Sequence, residues 1–330
     1  MKKILLWFSL SLLLCLSTAF VLTGTVTEES ATATITVEEL KDHLFYLASD
    51  ELEGRRPGTR GYRLAAEYAA NEFRKIGLEP ILKDADNKPT YLQPFQVTRY
   101  QPPIETNNVV GAVIGSDPVL RNEYITFGVH LDHIGVINDQ VHNGADDNAA
   151  SCAALLEVAE AIARSPVKRS VIFILYSAEE MGLLGSKHFV DNPPVPLDQI
   201  VVNINMEMIG RPDPESPKSF TFIGADAMID EYPDLLRGIN SRTLNLPIQF
   251  LNREDDTQNF FRRSDHYRFH EKGIPAVVFG SSMHEDYHRP TDDPEKIDLS
   301  KVHDAALLSY YITVEFGTRS QLPEPKPVSR

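Results

Sequence analysis

The segment Val171-Ile172-Phe173-Ile174-Leu175-Tyr176 is followed at once by Ser177-Ala178-Glu179-Glu180. A short run of β-branched and large apolar residues is typical of a central strand that is covered on both faces. Such strands pair in parallel and are joined by helices, and ligand-binding residues collect beyond their carboxyl ends. The segment therefore predicts an α/β fold with a functional site near Glu179 and Glu180.

Other parts of the chain repeat this pattern. Four more short apolar runs have the composition of buried strands: residues 109–114, 124–129, 200–204 and 276–279. Segments with helical periodicity lie before or between them: residues 38–49, 61–76, 148–163, 181–190, 230–244 and 301–316. Alternation of buried strand and helix predicts a three-layer α/β/α sandwich with a mostly parallel, mixed central sheet.

Residues that commonly bind metals lie at or beyond the ends of these runs. They are His130, Asp146, Glu180, Glu207 and His288. Two imidazoles and three carboxylates suit zinc better than calcium or magnesium, because those harder ions prefer ligand shells made only of oxygen. Because the carboxyl ends of parallel strands meet at one edge of the sheet, the five residues are expected to converge there. The sequence thus predicts a hydrolytic metal site.

Four of these residues also have a purely structural interpretation. Asp146 would cap the following helix, and Glu180 would complement the dipole of the next one. His130 would be a satisfied core histidine, and Glu207 would form a salt bridge with Arg211 at a strand end. For the metal site to be absent, all of these structural interpretations would have to be correct at the same sheet edge. That coincidence is less plausible than one shared site, so the combination favours metal binding.

Composition excludes one class of partner. The chain of 330 residues has 47 acidic and 32 basic residues, a net charge of −15, and no Lys/Arg stripe interleaved with aromatic residues. A nucleic-acid partner is therefore not expected. The 42% hydrophobic content is that of a globular protein with a large core.

The first residues resemble a secretory signal peptide. Lys2 and Lys3 precede an apolar stretch at 4–16, and Ser17-Thr18-Ala19 forms a site that signal peptidase would cut. We expect residues 1–19 to be removed, which leaves an exported protein, periplasmic or extracellular, without stable membrane insertion. A retained anchor is the alternative.

After removal of the signal peptide, Cys152 would be the only cysteine, so no internal disulfide is possible. We expect a flexible lead at 20–36, one catalytic domain at 37–318 and a flexible tail at 319–330.

Several motifs together resemble the secreted dizinc aminopeptidases, whose relatives include bacterial leucyl aminopeptidase, glutamate carboxypeptidase and glutaminyl cyclase. Besides the ligand motifs, they are Glu53-Gly54-Arg55-Arg56-Pro57-Gly58-Thr59, residues 107–118, Arg263-Ser264-Asp265-His266-Tyr267, Gly273-Ile274-Pro275 and Asp286-Tyr287-His288. The resemblance covers most of the chain after the signal peptide. It implies the phosphorylase/hydrolase-like architecture of the zinc exopeptidases.

The resemblance also implies a ligand set. Two zinc ions per chain would be bridged by Asp146, with His130 and Glu207 completing one site and Glu180 and His288 completing the other. Glu207 departs from the aspartate that many relatives have, so its longer side chain makes the geometry of the first site harder to predict.

The resemblance implies catalytic roles as well. Glu179 would be the general base, and Tyr287 would hydrogen-bond the developing oxyanion. Asp132 would orient His130 through the free ring N–H of that histidine. The peptide bond after the bridging aspartate, Asp146–Asp147, would be cis.

Three functions are compatible with this pattern. The first is an aminopeptidase that hydrolyses the N-terminal bond of peptides with a free N-terminus. The second is a glutaminyl cyclase-type acyltransferase with one zinc, which uses tryptophans to stack on its substrate. The only tryptophan is Trp7 in the expected signal peptide, which argues against this second function. The third is a non-catalytic binding homologue, but every ligand position carries a competent residue.

Overall fold

Twelve strands appear in the part of the chain that the structure, a computed structural model, describes: residues 28–213 and 216–326. They are β1 (Leu82–Lys83), β2 (Pro89–Thr90), β3 (Leu92–Val97), β4 (Ile104–Val113), β5 (Tyr124–His130), β6 (Gly135–Ile137), β7 (Gln140–His142), β8 (Ser170–Tyr176), β9 (Ile200–Glu207), β10 (Phe220–Ile223), β11 (Ile248–Leu251) and β12 (Ala276–Gly280). Eight of them form one mixed sheet in the order β11-β10-β12-β9-β5-β8-β4-β3. The pairs β1–β2 and β6–β7 are separate antiparallel ribbons.

The centre of the sheet is parallel. Strands β12, β9, β5 and β8 all run in one direction, with Phe127 opposite both Phe173 and Ile204. Strand β4 pairs antiparallel with β8, and β10 pairs antiparallel with β12. The five strands predicted from sequence are all present, and the predicted fold class is confirmed. Strands β3, β10 and β11 were not predicted, because they are short or, in β3, interrupted by Pro94.

Eight α-helices accompany the sheet in the described residues. They are α1 (Glu28–Thr32), α2 (Val37–Leu47), α3 (Arg60–Ile76), α4 (Ala150–Arg164), α5 (Leu184–Asp191), α6 (Tyr232–Arg242), α7 (His266–Glu271) and α8 (Leu299–Thr318). Strand β8 shows how the layers form. Phe173 and Leu175 join the core shared with α4 and α8, whereas Ile172 and Ile174 join the core shared with α5 and α7. Alternate side chains of one strand therefore pack against helices on both faces of the sheet.

Helix ends follow the local sequence. The hydroxyl of Thr36 accepts a hydrogen bond from the backbone N–H of Glu39 and so caps α2. Helix α3 ends at Gly77, whose φ of 88° is left-handed and favours glycine. An N-cap serine, threonine, asparagine or aspartate typically contributes about 1 kcal/mol.

Both ends of the described chain differ from the expected flexible segments. From residue 28 onward the expected lead is ordered: it contains α1, it buries Ala31 and Ile35, and the N–H of Thr36 bonds Glu157. In the expected tail, the N–H of Lys326 bonds the carbonyl of Met228 at 2.7 Å. Apolar burial and backbone pairing explain both differences. The expected signal peptide at 1–19 lies outside the described residues.

Two further expectations concern Cys152 and the membrane. Cys152 is buried in α4 and free, as expected, and burial raises the pKa of its thiol to about 12. Within residues 28–213 and 216–326, no helix is long and apolar enough to cross a bilayer.

Candidate metal centre and active site

The candidate site lies at the carboxyl edge of the parallel strands. Strand β5 ends at His130 and β9 ends at Glu207. After β8 the chain turns sharply at Ala178, whose φ of 57° is left-handed, and this turn carries Glu179 and Glu180. Neighbouring residues on a strand would point to opposite faces, so the turn is what lets two adjacent glutamates face one crevice.

Asp147 lies at the centre of the site. Its Oδ1 is 3.2 Å from Nε2 of His130, and its Oδ2 is 3.1 Å from Nε2 of His288. Oε1 of Glu207 is 3.2 Å from the same His130 nitrogen, and Oε2 of Glu180 is 3.2 Å from the same His288 nitrogen. One carboxylate thus presents one oxygen to each of two histidine–glutamate pairs.

Asp146, which we expected at this position, points elsewhere. Its Oδ1 accepts a hydrogen bond from the N–H of Gly210 at 2.6 Å, and its Oδ2 lies 3.1 Å from Nε2 of His284. The cis peptide bond is Asp147–Asn148, not Asp146–Asp147. The chain turns between left-handed Gly144 and the start of α4, so consecutive side chains point in different directions. The prediction therefore needs a correction of one residue, from Asp146 to Asp147.

The loop that carries Asp147 is held from two sides. The carboxylate of Asp292 accepts hydrogen bonds from the N–H groups of Asp146 and Asp147 at 3.1–3.2 Å. The side chain of Asn148 donates to the carbonyl of Met206 and accepts from the N–H of Met208, at the end of β9. Helix α4 begins at Ala150 without a side-chain cap, so the capping interpretation of this acidic stretch does not hold.

Asp132 acts on His130 in a different way from the one expected. The ring nitrogen Nδ1 of His130 is 3.0 Å from the backbone carbonyl of Asp132, not from its carboxylate. The carboxylate instead accepts a hydrogen bond from the N–H of Glu179 at 3.0 Å. Asp132 therefore orients His130 through its main chain and fixes the Glu179 turn through its side chain. Burial raises the pKa of the Asp132 carboxyl to about 8.

The two glutamates after β8 differ in their surroundings. Burial raises the pKa of Glu179 well above its ordinary value, and the nearby carboxylates of Glu207 and Glu180 raise it further. Burial and the neighbouring Asp147 act to raise the pKa of Glu180, but its contacts with His133 and His288 outweigh them and lower the pKa below its ordinary value. A raised pKa suits a carboxylate that accepts and returns a proton, and a lowered pKa suits a carboxylate that binds a cation.

Glu207 does not form the salt bridge with Arg211 that we considered as an alternative. Arg211 donates to Asp286 at 2.7 Å instead. One oxygen of Glu207 lies beside His130, and the other accepts a hydrogen bond from the hydroxyl of Ser264 at 2.7 Å. The longer glutamate side chain therefore reaches the candidate site.

His133 is a member of the site that sequence reasoning did not assign. It is fully buried, and its Nδ1 lies 2.8 Å from Oε1 of Glu180 and 3.7 Å from Oδ2 of Asp147. Its position next to the His130 motif was the only signal in the sequence. We call His130, Asp147 and Glu207 the first ligand group, and His133, Asp147, Glu180 and His288 the second ligand group. Each group contains three residues whose ligand atoms lie within 4.8 Å of one another.

Arg55 holds the backbone behind the site. This arginine is buried, and its guanidinium donates to the carbonyls of Leu131, Leu47, Asn143 and Gly144. It therefore ties the segment after β5 to the segment before Asp147.

A pocket opens beside the two ligand groups. Its acidic side is formed by Asp147, Glu179, Glu180 and Glu207. The rest of its wall is largely apolar and includes Met208, Ile223, Phe260, Val278 and Met283. Tyr287 lines the same pocket; its ring stacks on His288 with centroids 3.9 Å apart, and its hydroxyl is 3.4 Å from Nη2 of Arg263.

Comparison with known proteins gives the family. A family model described as peptidase family M28 matches residues 108–313, which is more than half of the chain. The chain belongs to peptidase family M28. It is 31% identical over 192 residues to aminopeptidase YwaD of Bacillus subtilis, which covers 55% of this chain and 39% of that protein. It is 28% identical over 251 residues to leupeptin-inactivating enzyme 1 of Streptomyces exfoliatus, covering 73% of this chain and 48% of that protein.

The chain thus spans less than half the length of these two curated relatives. Among solved structures, the fold resembles that of BSAP, a zinc aminopeptidase from Bacillus subtilis. The TM-score is 0.67 at 16% identity, covering 88% of this chain and 98% of BSAP. At this level of identity the likeness shows that the two chains share a fold.

The M28 chain carries an arrangement of donors that fits divalent metal ions. Four carboxylates of the pocket lie close together, and the ligand-type atoms Oδ2 of Asp147, Oε1 of Glu180, Nδ1 of His133 and Nε2 of His288 are buried without a hydrogen-bond partner in the described residues. Buried charges that lack partners destabilise a protein unless a cation compensates them. The mixture of imidazole and carboxylate donors suits zinc.

Proposed function

We propose that this M28 protein is a zinc-dependent aminopeptidase that hydrolyses the N-terminal bond of peptides. One observation carries the proposal: the two oxygens of Asp147 face different histidine–glutamate pairs, at 3.2 Å from His130 and 3.1 Å from His288. A carboxylate in that position suits two cations a few ångströms apart, which is the arrangement of two-metal hydrolases.

We assign His130, Asp147 and Glu207 to one zinc ion, and Asp147, Glu180 and His288 to the other. Two zinc ions at these residues would activate a water molecule and polarise the carbonyl of the scissile bond. The backbone of Asp132 keeps the His130 ring oriented, and Ser264 keeps Glu207 oriented. Such supporting hydrogen bonds fix ligand geometry before substrate arrives.

Glu179 is the proposed general base. Its carboxylate lines the pocket next to Asp147 and Glu207, and the bond from its N–H to Asp132 fixes the turn on which it sits. Glu179 takes a proton from the attacking water and gives it to the leaving nitrogen. Burial raises the pKa of Glu179, which makes its ionised carboxylate a stronger base for this proton.

Tyr287 and the apolar wall are the proposed substrate contacts. The phenol hydroxyl donates to the oxygen on which negative charge develops, and burial keeps it protonated by raising its pKa. The apolar residues Met208, Phe260 and Met283 favour an apolar side chain at the substrate N-terminus.

The test combines zinc measurement with three substrates. Purified protein should contain about two zinc ions per chain, hydrolyse leucyl p-nitroanilide, and lose activity when chelator removes the metal. N-acetyl-leucyl p-nitroanilide should not be cleaved, because its amine is blocked. Hydrolysis at the full rate without metal would reject the two-metal proposal, and cyclisation of glutaminyl peptides without hydrolysis would favour the cyclase function.

Export is a separate proposal that rests on the first residues of the sequence. Lys2, Lys3 and the apolar stretch before Ala19 support secretion through a cleaved signal peptide. N-terminal sequencing of the protein from a periplasmic or culture fraction should begin near Phe20. An intact Met1 in a membrane fraction would support the retained anchor instead.

A further inference from the structure

The second ligand group contains one histidine more than the assignment above requires. His133 lies on the segment that follows β5, and its ring packs edge-to-face against that of His288 with centroids 5.6 Å apart. It is 0% exposed, and its Nδ1 is 2.8 Å from Oε1 of Glu180. The residue therefore faces the same point as Glu180 and His288.

Hydrogen bonding does not explain how these atoms approach one another. Nδ1 of His133, Nε2 of His288, Oε1 of Glu180 and Oδ2 of Asp147 are all buried and all lack a hydrogen-bond partner in the described residues. Nδ1 of His133 and Oε1 of Glu180 lie 2.8 Å apart. Two imidazole nitrogens and two carboxylate oxygens thus lie around one point, an arrangement of atoms that could hold a metal ion.

The fold makes room for the His133 ring. Gly144 has a left-handed φ of 56°, and a Cβ at this position would lie only 2.5 Å from Cγ of His133. The loop that carries Asp147 can approach the imidazole this closely only because residue 144 is glycine. The other ring nitrogen of His133 also has no partner in the described part of the chain, so no hydrogen bond offsets the burial of this ring.

We propose that Nδ1 of His133 is a fourth protein ligand of the second metal ion. This inference rests on the metal assignment of the proposed function and extends it. The first ligand group then offers three protein ligands, and the second offers four: His133, Asp147, Glu180 and His288. A tetrahedral zinc site with four protein ligands is closed, whereas a site with three keeps a position open for water or substrate.

This difference gives the two metal ions different properties. The second ion binds more tightly and leaves last when a chelator is added. The first ion binds less tightly and keeps the position at which water and substrate enter. Ligation through Nδ1 requires that the proton of neutral His133 lies on Nε2.

The test is a Co²⁺ titration of metal-free protein that compares wild type, His133→Asn and His188→Asn. His188 is a matched control, since it stacks on Phe95 and lies in neither ligand group. Wild type should bind two Co²⁺ in a tight step and a weaker step. His133→Asn should weaken the tight step by about 10²-fold or more, because loss of even an outer hydrogen-bond partner of a ligand costs 10- to 100-fold. His188→Asn should titrate like wild type.

A second variant makes the test independent of whether His133→Asn folds without metal. In His133→Cys, a thiolate that reaches the ion should add a near-ultraviolet Co²⁺–thiolate band, and His188→Cys should not. Two Co²⁺ bound by His133→Cys without this band, or wild-type affinities in His133→Asn, would overturn the proposal. A wild-type protein that binds fewer than two ions would instead contradict the proposed two-metal function.

Discussion

The two ligand groups on either side of Asp147 are held in different ways. In the first group, His130 and Glu207 end two adjacent parallel strands, and both have hydrogen-bond partners. In the second group, His133, Glu180 and His288 lie on turns after strands, and their facing atoms have no partners in the described residues. Hydrogen bonds within the chain therefore hold the first group, whereas we expect the geometry of the second group to depend more on a bound cation.

The largest expected effect comes from the residue that the two groups share. Asp147→Asn should abolish peptidase activity and reduce bound zinc at both sites, because a neutral amide cannot replace a bridging carboxylate. Asp146→Asn is the matched control. It should keep both metal ions and lower the free energy of unfolding by about 1 kcal/mol, since it weakens only the contacts to Gly210 and His284. Zinc content and thermal melts should be measured for both variants. Full zinc content in Asp147→Asn would show that the two ligand groups do not share this residue.

Sequence alone predicted the parallel centre of the sheet because its strands are apolar runs without breaks. It did not predict β10 and β11, whose four residues each carry too little periodicity to stand out. The choice between Asp146 and Asp147 depends on the backbone between Gly144 and α4, where no helix or strand period applies. His133 was missed for the same reason: it lies on a loop, and nothing in a loop sequence tells which way a side chain points.

The role of Asp132 shows a related limit. Its type and spacing from His130 suggested a carboxylate–imidazole bond, but the carbonyl of the same residue makes the contact. Main-chain groups are present at every position, so sequence patterns carry no signal for them. The carboxylate of Asp132 instead accepts a hydrogen bond from the N–H of Glu179, and no sequence periodicity predicts that contact.

The second prediction separates proton transfer from metal binding. Glu179→Gln should keep two zinc ions and lose ~10²–10⁴-fold in kcat, the usual contribution of a positioned proton donor and acceptor. Glu180→Gln should instead weaken the ion that it shares with His288. Zinc content and kcat measured on both variants decide the assignment, and the opposite pattern would exchange the two roles.

A smaller effect is expected from the hydrogen bond that supports the first ligand group. Ser264→Ala removes the 2.7 Å bond to Oε2 of Glu207, so zinc at the first group should bind ~10- to 100-fold more weakly while zinc at the second group is unchanged. Ser309→Ala is a control of similar burial, because the Ser309 hydroxyl donates to Sδ of Met206 and contacts neither ligand group. If Ser264→Ala titrated like Ser309→Ala, the first group would not depend on this bond.

The smallest effect concerns the protein without metal. It tests directly whether the two ligand groups are held in different ways. Removal of the ions should leave amide hydrogen exchange slow in β5 and β9, because sheet bonds and the contacts of Asp132 and Ser264 remain. Exchange should become faster around Glu180 and His288, because both lie on turns and would lose the cation that they bind together. Exchange measured by mass spectrometry with and without zinc gives both results from one sample. Equal loss of protection at both groups would mean that the metal ions, and not the hydrogen bonds at the strand ends, organise the whole site.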